Sequence, residues 1–122
     1  MFTCVITYEV APGKTEAFRD YARAWITLVE KYGGTHHGYF SPPLDHETAL
    51  LPEAAFSFQG LGHPAPPNRG YALFSFPNRK AYETYRTKVG EDALCQQTTA
   101  RFEEDPCFLR YDRSFSIPIS CA

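Results

Sequence analysis

Residues 1–34, MFTCVITYEVAPGKTEAFRDYARAWITLVEKYGG, decide the fold of this chain. Phe2 to Val10 alternates between two sets of side chains, and this period of two with β-branched and aromatic residues predicts a strand. Ala11-Pro12-Gly13 breaks the strand, and a helix begins near Lys14. The apolar residues of that helix share one stripe: Phe18, Tyr21, Ala22, Trp25, Ile26, Val29 and Tyr32. Gly33-Gly34 ends the helix, as glycine does just past a last helical turn.

The remaining elements follow in two blocks. Thr35 to Phe40 predicts a second strand, stopped by Pro42-Pro43. Tyr71 to Phe76 is apolar on both faces, which is typical of a central strand. Asn78 then caps a helix that pauses at Gly90, restarts at Glu91-Asp92 and closes at Asp105-Pro106. Cys107 to Ile119 predicts a final strand, and Pro118 places it at an edge of the sheet.

The predicted order β-α-β-β-α-β is that of the split βαβ, ferredoxin-like fold. We therefore expect one α+β domain over residues 1–122, with an antiparallel sheet and two helices on one face. The other face carries further apolar and aromatic side chains and needs a cover. Two sheets packed face to face in a homodimer would supply it, and would close an α/β barrel able to hold a small ligand.

A proline-rich insertion at about residues 41–70 separates the second and third strands. A connection this long is uncommon in a small domain and is usually functional. Its apolar residues Leu51, Phe56 and Phe58 are expected to reach the partner subunit or to cover the mouth of the barrel.

Composition excludes several classes of protein. The formal charge is −2 and no run of Lys or Arg is present, so nucleic acid is not an expected partner. The N-terminus alternates like a strand and does not resemble a signal peptide, and no apolar stretch is long enough to span a bilayer. Four scattered cysteines without a C-x-x-C pair indicate reduced thiols. A cytoplasmic protein is the expectation.

Four stretches resemble the NIPSNAP family: ITYEVAPGKTEAF, GGTHHGYF, YALFSFPNRKAYETYR and CFLRYDRSF, in that order. The insertion is the departure from the family pattern. The resemblance implies the dimeric α/β-barrel group, which includes cofactor-free monooxygenases, haem-degrading enzymes, isomerases and proteins without an established activity. It implies fold and dimer, and it leaves the chemistry open.

His36 and His37 are the candidate catalytic residues. Adjacent strand residues point to opposite faces, so only one of them faces the barrel. That histidine is suited to act as a general base on a carbon acid or a phenol. The alternatives are that it ligates a haem iron or a metal, or that one histidine is solvent-exposed and the other is packing.

Further candidates are phenols and a guanidinium that could orient a small apolar or aromatic ligand: Tyr8, Tyr39, Tyr71 and Arg110. Core packing and surface ion pairing are the competing interpretations. The spacing of histidines and carboxylates matches no compact metal motif, and no P-loop, G-x-S-x-G or G-x-G-x-x-G occurs. We expect no metal and no cofactor.

The sequence thus predicts a NIPSNAP-like homodimeric domain that binds a small molecule or serves a structural role. The alternative is a cofactor-independent monooxygenase or isomerase that uses a histidine in the barrel pocket. Whether the protein is an enzyme stays open at this point.

Overall fold

The structure is a computed structural model and describes residues 1–51 and 66–119. Its strands are β1 (Phe2–Val10), β2 (Thr35–Phe40), β3 (Arg69–Phe76) and β4 (Phe108–Ser116), and its helices are α1 (Thr15–Lys31), α2 (Arg79–Val89) and α3 (Ala93–Glu104). A short 3-10 helix, Asp45–Leu50, follows β2. Phe56 and Phe58 of the insertion, together with Cys121, lie outside the described residues.

The four strands form one sheet in the order β2-β3-β1-β4, and every neighbouring pair is antiparallel. This topology confirms the ferredoxin-like α+β prediction. β4 is an edge strand, as Pro118 predicted, and β1 pairs along its whole length with β3 on one side and β4 on the other.

The core lies between the sheet and the helices. From β1, Cys4, Ile6, Tyr8 and Val10 all point to this side and are buried. The stripe of α1 packs on them through Phe18 and Val29, both buried, and Leu28, next to the stripe, is buried as well. Burying one such side chain stabilises the fold by roughly 1.5–3 kcal/mol, so the amphipathic pattern of α1 accounts for its position.

The helical segment that follows β3 differs from the prediction in one respect. It is two helices, so the described residues form three helices rather than two, and the third packs on α1. Asn78 caps α2 by accepting from the amide of Ala81 at 2.8 Å, as predicted. Asp92 caps α3 by accepting from the amide of Leu94 at 2.8 Å, so the pause at Gly90 is a new helix start. β3 also begins two residues earlier than predicted, at Arg69.

The opposite side of the sheet, called the open face below, is not covered by any of these three helices. Strand pairing arranges its side chains in rows across the sheet: Thr35, Ser75, Thr3 and Ser116; Leu73, Val5 and Ser114; Phe40, Tyr71, Thr7 and Asp112; Arg69, Glu9 and Arg110. The middle of this face is apolar, as the sequence predicted, whereas one end is rich in hydroxyls and the other is charged. The open face therefore carries polar side chains at both ends, besides the apolar side chains that were predicted for it.

Candidate functional site

His37 lies on the open face and is held by a hydroxyl network. Its Nε2 is 2.7 Å from Ser75 Oγ, and Ser75 Oγ is 2.7 Å from Thr3 Oγ1. Ser75 is only 2% exposed, whereas His37 is exposed. A buried hydroxyl thus fixes one ring nitrogen of His37, and no hydrogen bond among the described residues involves the other nitrogen, Nδ1.

The network supports two proton arrangements. When Ser75 accepts from Nε2–H and donates to Thr3, Nδ1 of His37 carries a lone pair and can act as a base. When Thr3 donates to Ser75 and Ser75 donates to Nε2, Nδ1 carries the proton and can donate it. Either state is suited to contact with a polar group of a small molecule.

A β-bulge puts His37 in this position. His36 pairs with Phe74 and Gly38 pairs with Leu73, so His37 is the extra residue between them. Gly38 has φ of 118°, a conformation that glycine adopts without steric cost. The bulge lets His37 lean towards Ser75, and it leaves His36 and Tyr39 together on the helix side of the sheet.

His36 has a different environment. Its ring stacks on Tyr39 with centroids 5.1 Å apart, and its Nδ1 accepts from the Gly38 amide at 2.9 Å. The proton of the neutral ring therefore lies on Nε2, which is buried without a hydrogen-bond partner in the described part of the chain. Burial, and secondly the charge of His37, lowers the pKa of His36 to about 4. His36 is a neutral, half-buried ring near pH 7.

Tyr8 and Tyr39 lie with His36 on the helix side, and their hydroxyl oxygens are 3.2 Å apart. Burial raises the pKa of Tyr8 to about 12 and the pKa of Tyr39 well above its usual range. Both phenols therefore stay protonated and pack in the aromatic core, on the opposite side of the sheet from His37.

Tyr71 and Arg110 lie on the open face, towards its charged end. Tyr71 is four residues from Ser75 along β3, which places the two about 13 Å apart. Arg110 Nε donates to Glu9 Oε2 at 2.7 Å. A depression of about 370 Å³ at this end is lined by Glu9, Arg69, Arg110 and Asp112 among others. The structure thus groups His37, Tyr71 and Arg110 on one face.

Sequence reasoning missed Ser75 and Thr3. Ser75 is the one polar side chain in the apolar run YALFSF, and a buried polar group needs a hydrogen-bond partner. A serine in this apolar run was therefore the feature of the sequence that could have identified it. Thr3 carried no comparable signal, because threonine is common in strands.

Two further observations bear on function. Within residues 1–51 and 66–119, no three His, Cys, Asp or Glu side chains are grouped so that they could hold a metal ion. Among the same residues, none of the helices has the length and apolarity required to cross a bilayer.

The arrangement of strands and helices defines the fold class. The chain is a ferredoxin-like α+β domain, and solved structures share this fold. More particularly, the NIPSNAP family model matches residues 3–46, which span β1, α1 and β2. The resemblance read from the sequence is therefore confirmed. No curated protein matches the chain in sequence.

Three solved structures illustrate the similarity. An uncharacterized NIPSNAP domain protein from Burkholderia xenovorans is 15% identical with a TM-score of 0.68, over 100% of this chain and 98% of that one. A NIPSNAP family protein with unknown function from Agrobacterium tumefaciens is 14% identical with a TM-score of 0.69, over 100% and 91%. A predicted antibiotic biosynthesis monooxygenase from Nitrosomonas europaea is 13% identical with a TM-score of 0.61, over 98% and 100%. At these identities the likeness establishes the fold alone.

Proposed function

We propose that this NIPSNAP-like domain forms a homodimer through its open faces and binds a small molecule between them. The observation that carries the proposal is a sheet face that none of the three helices of the described residues covers, with an apolar middle, Val5 and Leu73, beside the hydrogen-bonded His37. Apolar sheet surface is stabilised by burial, and a second copy offers a complementary face. We further propose that the dimer acts in the cytoplasm, where its buried thiols at Cys4, Cys95 and Cys107 stay reduced.

The chemistry of the open face defines the ligand class. Val5 and Leu73 suit an apolar or aromatic body, and Nδ1 of His37 suits a hydroxyl or carbonyl group on it. Tyr71 and Arg110 supply further polar contacts at the charged end. We assign His37, rather than the packed His36, to ligand contact.

The dimer is tested by one substitution at the centre of the open face. Leu73→Glu places a carboxylate where two apolar surfaces would meet, and burial of an unpaired charge is costly. Light scattering should give twice the monomer mass for the wild type and the monomer mass for L73E. The control Ala100→Glu adds the same charge on the exposed side of α3 and should remain dimeric. A monomeric wild type, or a dimeric L73E, would refute the open-face dimer.

The ligand site is tested with phenol and 1-naphthol as probes, by saturation-transfer NMR. His37→Ala should weaken 1-naphthol binding, whereas His46→Ala, at an exposed position of the 3-10 helix, should leave it unchanged. Equal binding by both variants would remove His37 from the site. Absence of binding to the wild type would favour a structural role for the dimer.

A second candidate function is cofactor-independent oxygenation or isomerisation, with His37 as the general base. The Ser75 contact at Nε2 favours it, because it orients the ring and leaves Nδ1 available to remove a proton. The similarity to the Nitrosomonas europaea protein is in accord with it. Oxygen uptake with hydroquinones is the assay. His37→Ala should abolish turnover while the melting temperature stays nearly unchanged; lost stability without a specific kinetic effect would identify His37 as packing.

A further inference from the structure

The helix side of β4 carries a surface that the proposed dimer does not use. Tyr111, Arg113 and Phe115 alternate along this side of the strand, and Tyr111 and Phe115 are 55% and 54% exposed. Their cross-strand partners on β1 are Tyr8, Ile6 and Cys4, all buried. The row therefore lies beside buried residues of β1, and its two aromatic rings are about half exposed.

Aromatic rings and a second guanidinium border this row. The Arg113 guanidinium carbon lies 5.6 Å from the Tyr111 ring centroid. Tyr82 of α2 packs edge-on against Phe115 with centroids 5.7 Å apart. Arg86 is one helical turn beyond Tyr82, on the same side of α2, and its charge acts on the Cys4 thiol. These five residues, Tyr82, Arg86, Tyr111, Arg113 and Phe115, are called the Arg113 surface.

The charge of the Arg113 surface is not balanced by a carboxylate in the described residues. Arg113 and Arg86 take part in none of the ion pairs found there, whereas Arg19 and Arg110 each pair with a glutamate. The groups that act most strongly on the Arg113 charge, after its own burial, are Tyr82, Cys4, Tyr111 and Tyr8. Phenols and thiols ordinarily carry no charge at neutral pH. Burial raises the pKa of Cys4 and Tyr8 further.

We propose that the Arg113 surface is a binding site for a small organic carboxylate with a flat apolar body. A guanidinium matches a carboxylate through two parallel hydrogen bonds. Tyr82, Tyr111 and Phe115 offer ring faces and edges to cover the body of the ligand. The site lies on the opposite side of the sheet from His37, so it is independent of the open-face proposal.

Benzoate is the probe, with benzamide and benzyl alcohol as uncharged analogues of similar shape. In amide NMR titrations of the full chain, benzoate should give saturable shifts at Tyr111, Arg113 and Phe115, and the neutral analogues should not. Arg113→Gln should weaken benzoate binding at least about tenfold, the effect of losing about 1.4 kcal/mol from a hydrogen bond to a charged group. Arg101→Gln, which removes an exposed guanidinium from α3, should bind as the wild type does.

Both the probe titrations and the variants have outcomes that would overturn the proposal. Unsaturable shifts with benzoate, or equal binding of benzamide, would exclude a carboxylate site. Loss of binding in Arg110→Gln instead of Arg113→Gln would move the site to the open face. If Arg113→Gln does not fold, Arg113→Lys keeps the charge without the planar fork and should bind more weakly than the wild type; unchanged affinity would refute the assignment. None of these results bears on dimerisation, which the Leu73→Glu experiment tests separately.

Discussion

Mild acid should destabilise this fold through one side chain, His36. The ring lies between Tyr39 and Phe74 on the helix side of the sheet. Its Nδ1 accepts from the Gly38 amide, so a proton added there would face an N–H donor. Burial lowers the pKa of His36 to about 4, from an ordinary value of 6.5, and the charge of His37 adds to the effect. The perturbation is a change of pH from 7.5 to 5.

The sign follows from which state takes up the proton. As the pH falls below about 6.5, the unfolded chain protonates His36, while the folded chain stays neutral until about pH 4. The unfolded state is therefore favoured over this window. Linkage gives a loss of about 2 kcal/mol between pH 7.5 and 5 as an upper value. Because the ring is only partly buried, solvent screening reduces this to about 1 kcal/mol.

Other groups with lowered pKa values act at lower pH. Hydrogen bonds from Arg19 lower the pKa of Glu47 to about 2, and hydrogen bonds from Lys31 and Tyr32 lower the pKa of Asp92 to about 2. The stability that these carboxylates contribute is present above their ordinary values near 4 and is lost as the pH falls towards 2. The stability that these carboxylates contribute changes little between pH 7.5 and pH 5, so the loss over this window is assigned to His36.

Urea unfolding at pH 7.5 and pH 5 measures the effect directly. His36→Phe keeps an aromatic ring on Tyr39 and removes the titration, so its free energy of unfolding should not fall over this window. His46→Gln should retain the full wild-type loss. The reasoning is refuted if His36→Phe loses as much stability as the wild type, or if NMR shows His36 protonating near pH 6.5.

Three further changes test the packing around the sheet. Arg19→Gln breaks the ion pair with Glu47 that joins the 3-10 helix to α1 through two contacts, at 2.6 and 2.9 Å. Amide hydrogen exchange at residues 44–50 should therefore accelerate while the sheet stays protected. Unchanged exchange would contradict this. Asp92→Asn should lower the melting temperature at pH 7, and the difference from wild type should shrink as the pH approaches 2. Gly70→Ala should cost about 1–3 kcal/mol in urea unfolding, because its Cβ would lie 2.8 Å from the Phe18 ring; the matched change Gly90→Ala, with nothing closer than 4.0 Å, should be nearly neutral.

The sequence predicted the parts of the fold that depend on local periodicity. The alternation of β1 and the stripe of α1 reflect one buried side each, so their bounds are readable from the chain. The order of elements then restricted the topology to one common solution. The start of β3 at Arg69 was not readable, because its pairing with Glu9 is a contact between residues distant in sequence. The sequence predicted the restart at Glu91-Asp92, but not that Asp92 caps a separate helix there.

The candidate site was predicted less completely than the fold. Alternation correctly placed His36 and His37 on opposite faces, but strict alternation would have put Tyr39 with His37. The bulge reverses this, and a bulge is specified by the pairing of β2 with β3 rather than by either strand alone. The contact of Ser75 with His37 depends on the same pairing of β2 with β3. The surroundings of Arg113 were not predictable from β4 alone, because they come from β1 and α2.

The extra residue in β2 is what separates two chemical environments across one sheet. Without it, strict alternation would place Tyr39 beside His37 on the open face and Phe40 on the helix side, and the stack of His36 on Tyr39 would be lost. With it, the buried imidazole stays neutral in an aromatic stack, and the exposed imidazole gains a hydroxyl partner. Two arginine side chains of β4 also lie in different environments on the two sides of the sheet. Arg110 on the open face is neutralised by Glu9, whereas Arg113 on the helix side faces phenols and a thiol. If both proposals hold, apolar contact and His37 select the ligand of the open face and negative charge selects that of the helix side, so we expect the two sites not to share a ligand.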